Sequence, residues 1–193
     1  LKIADMTRYE LFLRETRTYE IIEDVKNFRS EIGVLFLNGY NRDVLTKMFD
    51  DNRLTYTSLF KARPHIFVSK SNPLAKHEVV SLEDLEDFPY LSYDQGIHNS
   101  FYYSEEILSQ IPHKKSIVVS DRATLFNLLI GLDGYTIATG ILNSNLNGDN
   151  IVSIPLDIDD EIDIVYLKHE KATLSKMGEK FLDNLVKEVT FDN

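Results

Sequence analysis

Short apolar runs of strand character alternate with helix-like periodicity along almost the whole 193-residue chain. That order restricts the fold to the α/β class, since strands laid side by side are then covered by the helices between them. Glu31 to Leu37 reads as a buried strand ended by the turn Asn38-Gly39. Before it, Ile21, Ile22, Val25 and Phe28 share one helix face, with Thr18 placed to cap it. Further strands are expected at Tyr9–Arg14, Thr55–Lys61, His65–Ser69, Tyr90–Tyr93, Ser116–Val119, Tyr135–Ala138, Ile151–Leu156 and Ile162–Leu167. Helices are expected at Arg42–Asp51, from the Ser81–Asp84 capping box to Phe88, at Phe101–Ser109, at Arg122–Leu132 and from Thr173 onward. The whole pattern predicts a largely parallel sheet. The Arg122–Leu132 helix is apolar nearly all round, which predicts burial.

Charge and motif content remove several function classes. Acidic residues outnumber basic ones 31 to 21, giving a net charge of −10, so this chain repels nucleic acid phosphates on average. There is no cysteine for a disulfide, thiolate ligand or nucleophile. No apolar run reaches the roughly 20 residues that span a bilayer, and Leu1 to Glu10 lacks a basic segment followed by an apolar core. A cytoplasmic location is therefore expected. Glycine spacing matches neither a dinucleotide fingerprint nor a phosphate-binding loop, and no G-x-S-x-G elbow occurs. His65, His77, His98, His113 and His169 form no i, i+4 pair for a metal. The acidic clusters at Glu83–Asp87 and Asp157–Asp163 read as solvated surface. No cofactor, metal or catalytic residue is predicted, and the chain is not expected to be an enzyme.

From Tyr9 onward the order of landmarks resembles the effector-binding domain of LysR-type bacterial transcription regulators. Leu11 to Thr16 resembles that family's second strand and its polar exit, and Ile21 to Asn38 its helix, turn and D-[IL]-[GA] strand, with Glu31 in place of Asp. Leu59-Phe60-Lys61, His65 to Ser69 and Asn72-Pro73-Leu74-Ala75 are similar to its strand pair and H/N-P-L-A turn. Ser81-Leu82-Glu83-Asp84-Leu85 matches its S-L-x-D-L helix, and Ser120 to Gly140 resembles a cleft-lining cap, helix and strand. The resemblance implies a two-lobed, type 2 periplasmic-binding-protein-like fold with two crossover strands as hinge. One lobe would comprise residues 1–65 plus 165–193, the other residues 66–164. It also implies that a strand and most of a helix expected ahead of Tyr9 are missing, with only a helix tail fitting Leu1 to Met6. A complete regulator would carry a winged helix-turn-helix through which alone DNA is contacted, and would form a homodimer or homotetramer, pairing near the helices Thr18–Phe28 and Thr173–Phe191.

Ligands of open α/β sheets sit at the carboxyl ends of strands, where helix starts present free N–H groups. The candidates in this chain are Thr16 and Thr18; Asn38, Gly39 and Tyr40; Gln95, Gly96, Asn99 and Ser100; Ser120, Asp121 and Thr124; and Thr139 with Gly140. Their neutral donors suit a small anionic metabolite held between the lobes, which would favour the closed form. Several of them are also good caps or turns irrespective of any ligand. Phe101, Tyr102 and Tyr103 are either packing residues or an aromatic wall. Two alternative functions fit the same frame: a solute-binding protein of a transporter, and an enzyme such as a dehydratase or deaminase relative.

Overall fold

A computed structural model describes residues 10–98, 100–104, 106–142 and 149–191. The chain forms two compact units: residues 1–61 with 163–193, and residues 62–162. It passes from one to the other twice, at Lys61–Ala62 and at Ile162–Asp163.

The first unit holds α1 (Thr18–Lys26), β1 (Gly33–Leu37), α2 (Arg42–Asp51), β2 (Leu54–Ala62), most of β8 (Ile162–His169) and α4 (Lys176–Phe191). Its three-stranded sheet has the order β1-β8-β2, with β1 antiparallel to β8 from Gly33↔Leu167 to Leu37↔Asp163. Leu35 and Leu37 alternate inward from β1, and Ile22 and Val25 of α1 are almost fully buried. Each such side chain contributes about 1.5–3 kcal/mol on leaving water. α1 lies so close to β1 that a Cβ on Gly33 would sit 2.6 Å from Ile21 Cγ2. Asp163 is the second residue of the sheet's central strand, where its buried carboxylate accepts from Arg42 (3.1 Å) and Ser58 (2.5 Å).

The second unit holds β3 (His65–Ser69), β4 (Tyr90–Tyr93), β5 (Ser116–Val119), α3 (Arg122–Gly131), β6 (Tyr135–Ala138) and β7 (Ile151–Pro155). Five strands run in the order β5-β4-β6-β3-β7. β4 is parallel to β5 and β6, whereas β3 is antiparallel to β6 and β7. The sheet is therefore mixed and not largely parallel. β3 meets β6 and β7 more than 60 residues further along the chain, so its antiparallel direction is set by long-range pairing and not by a crossover helix between neighbours.

Several expected elements differ. Residues 10–17 carry no regular structure where a strand over Tyr9–Arg14 is expected, Tyr9 lying outside the described residues. Among the described residues this segment pairs with no strand, and an unpaired strand does not persist. Phe12 and Leu13 remain 82% and 68% exposed beside a cavity of about 440 Å³. Leu11, Val34, Met177 and Phe181 are among its lining residues.

The expected helix at Phe101–Ser109 reduces to one 3-10 turn, Phe101–Tyr103, followed by irregular backbone in which Leu108 has a φ of 61°. The helix behind Ser81 reduces likewise to Glu83–Leu85, although Ser81 and Asp84 form their reciprocal bonds. α4 starts at Lys176 and not at Thr173, because Ser175 caps it: its Oγ accepts from Gly178 N–H at 3.0 Å. α3 is only half covered. Leu125 and Leu129 are buried in a cluster with Phe67, Leu91, Val119 and Ile151, while Ile130 is 45% exposed.

Candidate functional site

In the second unit the parallel register of β5, β4 and β6 directs three carboxyl ends the same way. The turns that follow carry Gln95 and Gly96, Ser120 and Asp121, and Thr139 and Gly140. The turn after β4 is tied to the end of β5 by Asp94 N–H, which donates to Val119 O at 2.8 Å. Three of the predicted segments are thus neighbours at one end of one sheet.

Their side chains are unequally free. Asp121, and not Ser120, caps α3: its carboxylate accepts from Thr124 N–H at 2.8 Å and from the Thr124 hydroxyl at 2.7 Å. Those two donors hold the Asp121 carboxyl below its usual range. The N-terminus of α3 therefore already carries an anion of its own, and Thr124 spends its hydroxyl on it. Ser120 is exposed. Gly140 has a φ of +81°, and a Cβ there would fall 2.5 Å from His65 Nδ1; its carbonyl accepts from Ser153 Oγ at 3.2 Å. Its absent side chain is thus a packing requirement. Gln95 is buried, with Nε2 donating weakly to Tyr93 O at 3.4 Å and Oε1 without a described partner. Gly96 takes a φ of 62° and donates to Asp94 Oδ1 at 2.9 Å. Ser100 Oγ accepts from Tyr102 N–H. Asn99 lies outside the described residues.

Sequence reasoning missed Glu106. Its carboxylate is buried, with Oε1 accepting from Tyr93 N–H at 2.5 Å and Oε2 from the Ser104 hydroxyl at 3.0 Å. Burial raises its pKa. The second Glu of the Glu105-Glu106 pair carries no signal for this in the chain. Nearby, His113 stacks on Tyr90 with ring centres 3.7 Å apart, and its Nδ1 lies 2.9 Å from the Tyr135 hydroxyl. Burial lowers the pKa of His113 and pushes that of Tyr135 up to about 12.

In the first unit, Asn38 builds the turn between β1 and α2. Its Oδ1 accepts from Tyr40 N–H at 3.0 Å and Asn41 N–H at 3.1 Å, while Asn41 Oδ1 accepts from Asn38 N–H at 2.9 Å. Gly39 is exposed and Tyr40 partly so. Arg17, not Thr18, is the residue preceding α1, and no side chain caps that helix; Thr18 is buried in the first turn. Thr16 donates to the Glu20 carboxylate and lines the cavity beside β1.

A family model described as the LysR substrate binding domain matches residues 7–190. The chain belongs to this family. Solved structures place the LysR-type fold on the molecule independently. HinK, a LysR family transcriptional regulator from Pseudomonas aeruginosa, matches with a TM-score of 0.62 at 16% identity, over 91% of this chain and 58% of that one. The effector binding domain of QuiR in complex with shikimate matches with a TM-score of 0.60 at 18% identity, over 90% of this chain and 78% of that one. The BenM effector binding domain with its effector benzoate gives 0.59 at 19% identity, over 91% and 76%. The LysR-type chain thus spans a little over half the length of the full regulator HinK. No curated protein matches it in sequence. Membership supports the two-lobed, type 2 periplasmic-binding-protein-like fold and the regulator reading over the transporter and enzyme alternatives. Among the described residues no helix is long and apolar enough to cross a membrane, and no group of acidic or histidine side chains is arranged to hold a metal.

Proposed function

We propose that this domain senses a small carboxylic acid through the turns after β4, β5 and β6 and relays its binding to a DNA-binding module in the same regulator. The two compact units are read as the lobes, and an effector acts by preferring one arrangement of them. It can shift that equilibrium only by its difference in affinity for the two arrangements. The observation carrying the reading is the shared carboxyl end of β5, β4 and β6, which presents Gln95, Ser120 and Thr139 together. Support for the ligand class comes from the relatives: QuiR is bound to shikimate and BenM to benzoate, both small carboxylates. Because Asp121 already occupies the start of α3, this reading puts the effector carboxylate toward Thr139 and away from that helix end.

The domain is read as a cytoplasmic sensor and not as an enzyme, and as self-associating. The half-bare apolar end of α3, with Ile130 on it 45% exposed and Leu132 just after it 47% exposed, supports association.

A thermal-shift series with benzoate, shikimate, amino acids and inorganic anions tests the ligand class. A ligand at about a hundred times its Kd adds about 2.7 kcal/mol of stability and raises Tm visibly. A selective shift by carboxylates, lost in Gln95→Ala with Ser120→Ala, is the expected result. No shift from any carboxylate at millimolar concentration would refute it.

A further inference from the structure

The segment from Tyr93 to Ser104 leaves the sheet at the end of β4 and runs through two 3-10 turns to Ser104, well before β5. Asp94 N–H ties the start of the segment to Val119 O, and further bonds described inside it are short-range: Gly96 N–H to Asp94 Oδ1, Tyr103 N–H to Ser100 O, and Tyr102 N–H to Ser100 Oγ. Such bonds shape turns but do not fix where a loop starts relative to where it ends. One side chain does both. Glu106 Oε1 takes the N–H of Tyr93, the last residue of β4, and Oε2 takes the hydroxyl of Ser104, the residue that closes the 3-10 turn. Glu106 and Ser104 are 4% and 8% exposed, so water competes little for either bond.

A carboxylate is an expensive way to fill that place. Leaving water costs a charged group several kcal/mol unless it is paired. No described cation pairs with Glu106; neutral donors answer its charge, Tyr93 N–H and the Ser104 hydroxyl foremost. For packing alone, Leu or Met would serve better. What a carboxylate provides and an apolar side chain does not is two acceptors in one rigid plane, one for each end of the loop.

We propose that Glu106 is a positioning residue: its carboxylate clasps both ends of the Tyr93–Ser104 loop and so sets the shape in which Gln95 and Ser100 are presented to an effector. Its relevance to sensing rests on the proposed effector site, but the clasp itself is tested without any ligand.

The test is amide hydrogen exchange on the ligand-free domain as wild type, Glu106→Ala, Glu106→Gln and Ser104→Ala. In Glu106→Ala, the described amides from Tyr93 to Ser104 should exchange at least about tenfold faster, while Ile66 to Val68 in β3 and Ile137 in β6 change less than about twofold. Glu106→Gln keeps one acceptor of the same reach and should recover protection to within about threefold of wild type. Ser104→Ala releases one end only and should fall between the wild type and Glu106→Ala, which keeps the idea testable if Glu106→Ala does not fold. Unchanged loop exchange in Ser104→Ala and Glu106→Ala overturns the proposal. So does loosening of β3 and β6 together with the loop, the mark of a general packing role. A clasp confirmed by exchange beside a failed carboxylate titration would remove the effector reading and leave the clasp standing.

Discussion

His113 and Gly140 show how single residues are committed by their surroundings. His113 sits flat against Tyr90 beside the Tyr135 hydroxyl, and burial lowers its pKa from 6.5. The unfolded chain therefore binds a proton more readily than the folded one. Its contribution to stability is fully present above pH 6.5 and is lost as the pH falls through the lowered folded value. Urea unfolding between pH 8 and about 5 should show stability declining on the acid side, and the decline should flatten in His113→Phe. An identical slope in that variant would show that His113 is not the group responsible. Glu106 has the opposite sign: burial raises its pKa, so its contribution is present below about 4.5 and is lost as the pH rises. It is common to both proteins in that comparison and cancels. At Gly140, φ is +81° and a Cβ would meet the His65 ring. Gly140→Ala should cost about 2 kcal/mol or more, from strain and overpacking together. A loss under half of that in chemical denaturation would mean that His65 swings aside freely.

Helix starts and edge strands account for the differences at the level of elements. α4 begins where Ser175 caps it, and Ser175 is itself held by the Glu31 carboxylate, with its Oγ 3.0 Å from Oε2. Ser175→Ala should therefore lower stability by about 1 kcal/mol, read from the denaturation midpoint. An effect near zero would mean that packing alone sets the start of α4. The Phe101–Ser109 region illustrates the reverse case. Its apolar spacing suits a helix, yet Glu106 is drawn into the protein by Tyr93 N–H and Ser104, and the backbone follows. Helical propensity amounts to tenths of a kcal/mol per residue, less than a buried charge-assisted hydrogen bond. The strand expected at Tyr9–Arg14 failed for want of a partner, since sequence alternation describes a face and not a ladder.

For the whole molecule, the half-covered helix α3 is the feature with consequences. A helix apolar on every side normally lies inside a core. Here Ile130 and Leu132 remain about half exposed, as does Val118 on β5, at 61%. Sedimentation velocity should show the wild-type domain associating at tens of micromolar, and Ile130→Glu combined with Leu132→Glu should shift it to monomer without loss of the folding transition. A wild type that stays monomeric at high concentration would refute the self-association proposed for the domain.

The chain by itself determined which segments could be strands and helices, because apolar period is a local property. β1, α2, β3, β4, β5, α3, β6 and β7 all lie close to where that period places them. The turn at Asn38 was legible too, since Asn38 bonds the backbone two and three residues on. Tertiary structure alone decided strand direction, because β3 pairs antiparallel through residues distant in sequence. It also decided which polar groups are spent. Asp121, Thr124 and Asn38 satisfy their own backbone, whereas Glu106, silent in the sequence, holds a loop. Hydrogen-bond partners across ten or more residues depend on how the backbone closes, and no spacing rule within one chain encodes that closure.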